Sequence, residues 1–298
     1  MFTVSSVRKF FIVLVGVLSL IRVCNAFSTT IYIPGAYSDI DIAHDYYVGL
    51  ARAALQHTSK EGSVPKLIQT VHMNQARTAI ELKKGALDLM WTGASAELES
   101  EFRVIKIPLD MGLMGFRRFI ILEKDKKRFD EIESLDQLKT LVACQGTHWP
   151  DTQILRKAGL DVLDTPVHEN LFELLAIGRC DYFPRGLQEG PAEVERWKHT
   201  FPDFTVSEKM ILHYPFTIYF YTSKDNEALA KRIEAGLEKM IDEGTLLEYM
   251  KKHPSTAHLF PLEQYKNATF IELNNPELAE NTPVKNSRYW LSRHSLTK

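Results

Sequence analysis

The sequence has few cysteines, no metal-binding motif and no concentration of basic residues. Its 298 residues contain three cysteines and no CxxC pair or His/Cys cluster, so we expect neither a metal site nor a cofactor. No basic stripe appears, which argues against nucleic acid as a partner. Internal repeats and low-complexity segments are absent as well. What remains is the composition of an ordinary globular protein, with 45% hydrophobic and 25% charged residues.

The longest uninterrupted apolar run in the sequence lies near its N-terminus. Arg8 and Lys9 precede this run, residues 10–21, and small residues follow it up to Ala26. This order is typical of a secretory signal peptide, so we expect residues 1–26 to be removed during export. An uncleaved membrane anchor is the alternative, but the run is shorter than the roughly 20 apolar residues that a span needs.

Removal of residues 1–26 would leave Cys144 and Cys180 as the only cysteines. In an oxidising compartment these two could pair. We place them on neighbouring parallel strands, which seldom have the geometry that a disulfide requires. The sequence therefore predicts two buried free thiols.

Predicted strands and helices alternate along the first third of the chain. Strands at residues 29–33, 67–73 and 86–91 are separated by helices near residues 42–57 and 75–84. This alternation is typical of a parallel, doubly wound α/β unit.

A second unit of the same kind is predicted between two crossing segments. Residues 108–115 contain two glycines and interrupt the alternation of strands and helices. Residues 210–222 form an apolar run that Pro215 divides. Between these crossings, the predicted strands are residues 141–144, 161–163 and 180–183.

We therefore predict an α/β protein of two doubly wound lobes joined by a two-strand hinge. Residues 27–112 form the first part of lobe 1, residues 113–212 form lobe 2, and residues 213–298 form the second part of lobe 1 and a C-terminal tail. In such folds ligands bind between domains and at the carboxyl ends of strands. A hinge of two strands permits the lobes to close around a ligand.

The stretch 171–189, LFELLAIGRCDYFPRGLQE, carries the strongest candidate for a ligand-binding residue. Its apolar spacing predicts a short helix that Gly178 ends, and a strand at residues 180–183 follows. Pro184 cannot donate to a sheet ladder, so we expect pairing to end there and to leave Arg185 at the strand's carboxyl end. Arg185 is then a ligand clamp that faces solvent in the open form, an ordinary surface arginine, or an arginine tied to Glu189 or Asp181 as a structural pair.

Three motifs, in their order along the chain, resemble those of the family-3 extracellular solute-binding proteins, which have the type II periplasmic binding fold. They are the strand-loop CQGT at residues 144–147, the turn LAIGRCD at residues 175–181 and the closing helix at residues 236–245. The resemblance implies a periplasmic, monomeric receptor. It would capture a small molecule between two lobes and deliver it to an ABC transporter permease or a membrane sensor.

Two residues with which amino-acid binders of this family hold their ligand do not carry over. The first-lobe arginine expected downstream of Asp88 is replaced by acidic residues, and the next arginine is Arg103. Where the family has an aspartate for the amino group, this chain has Pro184-Arg185-Gly186. We therefore expect a ligand other than an ordinary α-amino acid. An arginine at this place predicts that it is anionic or bears a carboxylate.

Four residues are candidates for holding a negative group of the ligand. Gly146 and Thr147 at a predicted helix start offer backbone N–H groups and a hydroxyl, although Thr147 could equally be the N-cap of that helix. Arg185 could add a bidentate grip on a carboxylate or phosphate. Arg117 follows the first crossing, where it would face the cleft or pair with a carboxylate across the hinge.

Aromatic residues at strand ends or in loops are candidates for stacking on an organic ligand. They are Trp91, Tyr37 and Trp149, each of which could also be part of a core or a rim. His148 lies in the same turn as Trp149 and is a further candidate. Asp151 in that turn could simply complement the helix dipole.

A secreted enzyme on the same fold, such as a dehydratase, is the competing function. It would need a positioned acid–base pair, which His148 could form with Asp151 or Glu189. No nucleophile motif or metal cluster accompanies these residues in the sequence. We therefore favour a binding protein without enzymatic activity.

Overall fold

The computed structural model describes residues 30–36, 42–59 and 64–297. The signal peptide predicted at residues 1–26 and the candidate Tyr37 lie outside these ranges. Within them, no helix is both long enough and apolar enough to cross a membrane.

Twelve strands are present in the described residues. They are β1 (Thr30–Ile33), β2 (Lys66–Gln69), β3 (Met90–Gly93), β4 (Arg103–Ile105), β5 (Phe116–Leu122), β6 (Val142–Gly146), β7 (Asp161–Thr165), β8 (Phe183–Gly186), β9 (Phe204–Val206), β10 (Met210–His213), β11 (Ile218–Thr222) and β12 (Thr269–Glu272).

The α-helices of the described residues connect these strands. They are α1 (Ile42–His57), α2 (Gln75–Lys83), α3 (Ala96–Glu101), α4 (Lys126–Asp130), α5 (Leu135–Leu138), α6 (Pro150–Lys157), α7 (His168–Ala176), α8 (Gly190–Trp197), α9 (Glu227–Asp242), α10 (Thr245–Lys252) and α11 (Arg293–Thr297).

In the first lobe, β1 to β4 and β11 form two sheets, and β11, which follows Pro215 in the second crossing, is the central strand of one of them. Strands β1 and β2 pair in parallel, as predicted. The third strand is β3, which lies later than the predicted residues 86–91 and pairs antiparallel with β11. Strand β11 also pairs with β4. The backbone N–H of Asp88 donates to the carbonyl of Tyr32 at 2.9 Å and so links β1 to the approach to β3.

Helices α1 and α9 pack closely in the core of the first lobe. A Cβ atom at Gly236 of α9 would lie 2.0 Å from the carbonyl oxygen of Ala54 in α1, so only glycine allows this approach. Buried Leu50, Ile233 and Leu237 belong to the same apolar cluster. The closing helix that the sequence predicts therefore packs against the first helix of the lobe.

The two crossing segments lie side by side. Strand β5 pairs antiparallel with β10, with Arg117 opposite Leu212 and Phe116 opposite His213. Strand β10 also pairs in parallel with β12, and Pro215 separates β10 from β11. This arrangement is the two-strand connection of a two-lobed α/β protein.

The second lobe combines parallel and antiparallel pairing. Strands β6 and β7 are parallel, and Tyr182 forms a parallel bridge to Ala143 of β6. Beyond Tyr182 the chain enters β8, which pairs antiparallel with β5. The element predicted as strand 180–183 is thus displaced to Phe183–Gly186.

The prediction that Pro184 ends pairing is wrong, because Pro184 lies within β8 opposite Phe119. The backbone N–H and carbonyl of Phe119 are already bonded to Ser207, at 3.0 and 2.8 Å. Strand β8 is the last in its sheet order, where a proline costs no ladder hydrogen bond. Arg185 therefore lies inside a strand.

The two cysteines form a disulfide, so the prediction of free thiols is also wrong. The Cα atoms of Cys144 and Cys180 are 5.6 Å apart, which is within the range that a disulfide spans. The chain that follows Cys180 runs beside β6, and the N–H of Cys144 donates to the carbonyl of Tyr182 at 2.8 Å. This close approach is what brings the two sulfur atoms together.

Candidate functional site

Arg185 is buried and already paired with two carboxylates. Its side chain is 9% exposed. Its Nε and Nη2 donate to the two carboxylate oxygens of Glu193, each at 2.7 Å. Nη2 also lies 3.0 Å from Oε1 of Glu189, and the guanidinium lies 5.0 Å from the ring centroids of Trp149 and Phe183. The arginine considered from the sequence as a ligand clamp or a surface residue is instead paired with Glu189 and Glu193 of its own predicted lobe.

Arg117 is the second buried arginine at this place. Its side chain is 3% exposed, and Nη2 lies 2.6 Å from Oδ1 of Asp151. The same oxygen accepts a hydrogen bond from the hydroxyl of Tyr214. The Nε atom of Arg117 is buried and has no hydrogen-bond partner. The sequence left open whether Arg117 faces the cleft or pairs with a carboxylate across the hinge. It does pair with a carboxylate, but Asp151 belongs to the same predicted lobe, residues 113–212, so this pair does not cross the hinge.

Glu189 joins the two arginines into one cluster. Its Oε1 faces Arg185, and its Oε2 lies 3.5 Å from Nη1 of Arg117. Oε2 also accepts a hydrogen bond from the backbone N–H of Gly186 at 2.9 Å. We call Arg117, Arg185, Asp151, Glu189 and Glu193 the arginine cluster. With two positive and three negative side chains, its formal charge is −1.

The cluster's electrostatics follow from its burial and pairing. Burial would raise the pKa of Glu193, but the charge of Arg185 and hydrogen bonds from His168 and Arg185 lower it to about 2. Burial would lower the pKa of Arg185, yet Glu189 and Glu193 raise it above its ordinary value. Burial raises the pKa of Tyr214 well above 10, so its hydroxyl remains protonated. Glu193 is therefore ionised and Arg185 protonated at neutral pH.

Trp91 lies in a separate aromatic group of the first lobe. It stacks on Tyr47 with ring centroids 5.8 Å apart and meets His44 edge-on at 5.2 Å. Burial raises the pKa of Tyr47 well above 10, and the charges of Asp110 and Glu189 act in the same direction while Arg117 opposes them. The electrostatic neighbours of Tyr47 thus include two members of the arginine cluster. The charges of Glu189 and Arg117 therefore act on the pKa of a tyrosine that stacks on Trp91.

Gly146 and Thr147 do not present free N–H groups. The N–H of Gly146 is bonded to Oε1 of Gln145 at 3.2 Å, and that of Thr147 to the carbonyl of Thr165 at 3.1 Å. Helix α6 begins at Pro150, with Trp149 in the N-cap position, so Thr147 is not the cap either. Its hydroxyl bonds to Asp164 and lowers the pKa of that carboxyl.

Trp149 connects Gly146 to Arg185. A Cβ atom at Gly146 would lie 2.5 Å from the Trp149 ring, so glycine is needed for this packing. The partly buried ring then contacts Arg185. His148, the neighbour of Trp149, is exposed, and its charge acts on Asp164. The structure therefore brings Arg185, Arg117, Trp149 and Gly146 together and leaves Thr147 and His148 beside Asp164.

Several residues of the site were not predicted from the sequence. Glu193, Tyr214, His44 and Tyr47 carry no motif. Glu189 was named from the sequence as a possible partner of Arg185, which lies four residues before it, and this pair is present. Glu193 lies four residues further on, in the first turn of α8. This spacing places acidic side chains on the same side of the chain.

Two surface pockets among the described residues lie elsewhere. One of about 410 Å³ is lined by Asp161, Gly178 and Arg179, and one of about 520 Å³ by His213, Glu272 and residues of the C-terminal tail. Neither is lined by a member of the arginine cluster. No group of three or more His, Cys, Asp or Glu side chains in the described ranges is placed to hold a metal ion.

Solved structures with a similar fold include amino-acid-binding proteins and a sensor domain. No family model and no curated protein matches the sequence. An ancestral arginine-binding protein bound to glutamine has a TM-score of 0.58 and 16% identity, covering 77% of this chain and 99% of its own.

Two further structures are similar to this chain. An amino acid ABC transporter substrate-binding protein from Streptococcus pneumoniae, bound to L-arginine, has a TM-score of 0.55 and 14% identity and covers 76% of this chain and 94% of its own. A histidine kinase sensor domain similar to periplasmic binding proteins has a TM-score of 0.56 and 16% identity, covering 76% and 96%. At these identities the likeness establishes the fold, which is the two-lobed periplasmic binding fold.

Proposed function

We propose that the protein is a solute-binding protein that captures a small organic molecule between its lobes. It would deliver this molecule to an ABC transporter permease or a membrane sensor. The observation that carries the proposal is that Tyr47, which stacks on Trp91, lies within the electrostatic influence of Arg117 and Glu189, because these residues belong to different predicted lobes. Aromatic faces and fixed charges are the groups that orient an organic ligand. The similar folds that bind amino acids support the same class of function.

The sequence and the structure lead to different expectations for the charge of the solute. The anionic solute expected from the sequence needs arginines that are free to pair with it. Arg117 and Arg185 are already paired, and the arginine cluster carries a formal charge of −1. We therefore propose a neutral or positively charged solute. A carboxylate-bearing solute is the competing form, and it would have to displace Glu189.

Enzymatic activity receives no support from the placement of the proposed acid–base pair. The carboxylate of Asp151 is bonded to Arg117 and Tyr214, and Glu189 bridges two arginines. His148 is exposed, and its charge lowers the pKa of Asp164. A non-enzymatic binding protein remains our proposal.

A ligand screen tests the proposed function. Thermal-shift measurements on the purified mature protein against panels of amines, amino acids, carboxylates and sugars should find a stabilising compound. Trp91→Ala should weaken its binding about tenfold, because the loss of an aromatic contact costs on the order of 1 kcal/mol. Trp197→Ala is the control, since Trp197 packs against Phe172 and Phe201 inside the second lobe. Equal weakening by both variants would contradict the assignment of Trp91 to the site.

We also propose that the protein is exported and that its lobes are divided at the predicted boundaries. The Cys144–Cys180 disulfide supports an oxidising compartment. N-terminal sequencing of the protein from the cell envelope should begin near Phe27, and full-length cytosolic protein would contradict export. Small-angle scattering should show a decrease in radius of gyration on ligand binding, with both lobes moving as units about the two crossings.

A further inference from the structure

We propose that the carboxylate of Glu189 occupies an anion-binding site formed by other residues of this protein and thereby determines which charge the solute can carry. The site consists of Arg117, Arg185 and the backbone N–H of Gly186. Its position between the lobes rests on the proposed function, but its anion chemistry does not.

The contacts of Glu189 are those of a bound carboxylate ligand. Its two oxygens face different arginines, at 3.0 Å from Arg185 and 3.5 Å from Arg117. A backbone N–H, that of Gly186, donates to it at 2.9 Å. Two guanidinium groups and a backbone N–H that converge on one carboxylate form an anion-binding arrangement.

Glu189 differs from the other two carboxylates of the arginine cluster. Asp151 and Glu193 have the shorter contacts, at 2.6 and 2.7 Å, each with one arginine. Glu189 is shared between both arginines, and its side chain is the most exposed of the three, at 22% against 7% and 15%. An external anion could therefore replace Glu189 while Arg117 stays paired with Asp151 and Arg185 stays paired with Glu193.

The arginines also have donor capacity that the chain does not use. The Nε atom of Arg117, in a side chain only 3% exposed, has no hydrogen-bond partner. Buried polar groups are nearly always bonded, and an orphan donor indicates a missing partner. The Nε–H lies on the guanidinium edge that Nη2 presents to Asp151, whereas Glu189 lies against Nη1, so this donor is a second, unfilled position of the arginine cluster beside the one that Glu189 occupies.

With Glu189 present, the site repels anions. An entering carboxylate or sulfate would meet a cluster of formal charge −1 whose shared position is filled. Without the negative charge of Glu189, the formal charge of the cluster is zero and the Gly186 N–H and both guanidinium groups face a neutral side chain. Glu189 thus acts as a residue that determines specificity against negatively charged solutes.

Titration with sulfate tests this inference without knowledge of the natural solute. Wild-type protein, Glu189→Gln and Glu189→Ala are titrated with sodium sulfate in a calorimeter, with sodium chloride at the same ionic strength as the reference. We expect both variants to bind sulfate about tenfold or more tightly than the wild type. Glu195→Gln on α8 is the matched control, because Glu195 is 75% exposed and paired with Lys198, and it should behave as the wild type.

Three results would overturn the inference. The first is a folded Glu189→Gln or Glu189→Ala protein that binds sulfate no better than the wild type. The second is sulfate binding by the wild type as tight as that of the variants. The third is failure of both variants to fold at pH 7, since Glu189 would then be a structural residue. None of these results bears on whether the wild type binds an organic solute through Trp91, so the proposed function is tested separately.

Discussion

Arg185 donates two parallel hydrogen bonds of 2.7 Å to Glu193, and both side chains lie inside the second lobe. Planar bidentate pairing of this kind is the strongest contact that a guanidinium makes with a carboxylate. This pairing explains how a charged residue can lie in a strand where the whole residue, backbone and side chain together, is only 7% exposed. It also changes what substitution of Arg185 is expected to do.

Substitution of Arg185 should destabilise the protein. Arg185→Ala leaves Glu193 buried without its main partner, and breaking a buried ion pair costs about 3–5 kcal/mol. Urea denaturation at pH 7 should show this loss in the free energy of unfolding. Arg196→Ala, an exposed arginine on α8, is the control and should change it by less than about 0.5 kcal/mol. Equal stability of Arg185→Ala and the wild type would show that the ion pair is not structural.

Glu193 should make the stability of the protein sensitive to acid. Its pKa is about 2 in the folded protein against 4.5 for the free side chain, so the folded form holds the ionised state more strongly. The resulting stabilisation is complete above about pH 5 and is lost as the pH falls towards 2. The loss is about 3 kcal/mol for a difference of this size.

Glu193→Gln should remove this part of the pH dependence. Unfolding free energies at pH 7, 5 and 3.5 would show a smaller slope for Glu193→Gln than for the wild type. Glu195→Gln, with an exposed side chain, should keep the wild-type slope. An unchanged slope in Glu193→Gln would assign the acid sensitivity to other carboxylates.

Asp110, in the first crossing, should have the opposite pH dependence. Burial raises its pKa from 3.8 to about 6, although Thr217, Gly112 and Met114 donate hydrogen bonds that favour the ionised form. Because the folded form binds the proton more tightly than the unfolded chain, stability is lost as the pH rises from about 4 to 6.

Thr217→Val should increase this loss. The hydroxyl of Thr217 donates to Oδ1 of Asp110 at 2.6 Å, and a hydrogen bond to a charged group contributes about 1.5–3 kcal/mol. The destabilisation by Thr217→Val should be larger at pH 8 than at pH 5. Thr222→Val provides the control, since the buried Thr222 hydroxyl donates to backbone carbonyls and its loss should be independent of pH. A pH-independent effect of Thr217→Val would mean that Asp110 is not the titrating group.

Reduction of the Cys144–Cys180 disulfide should destabilise the second lobe. The bond joins residues separated by 36 positions, and loop-closure entropy predicts a contribution of about 4 kcal/mol. Urea denaturation with and without reductant should show this difference. Alkylation of both thiols in denatured but unreduced protein would contradict the pairing.

The elements that depend on local sequence were predictable. Helix α1 has the expected bounds, Ile42–His57, and the Ser134–Gln137 capping box is present as its sequence predicts. Gly178 has a φ of 70° just after the end of α7, as expected for a glycine that stops a helix. Contacts within a few residues decide these features, so the sequence by itself determines them. The alternation of strands and helices, with two crossings, was sufficient to indicate two α/β lobes.

The pairing of distant residues was decided only by the tertiary structure. Cys180 approaches Cys144 because the chain after Cys180 runs beside β6, and Pro184 lies in a strand because Phe119 is already bonded to Ser207. The same holds for Arg117, whose main partner Asp151 belongs to another element. A sequence shows that a charge or a thiol is present but not which of several segments will lie against it. That choice depends on the packing of whole strands and helices, and here it turned two expected ligand-binding arginines into a buried, internally paired cluster.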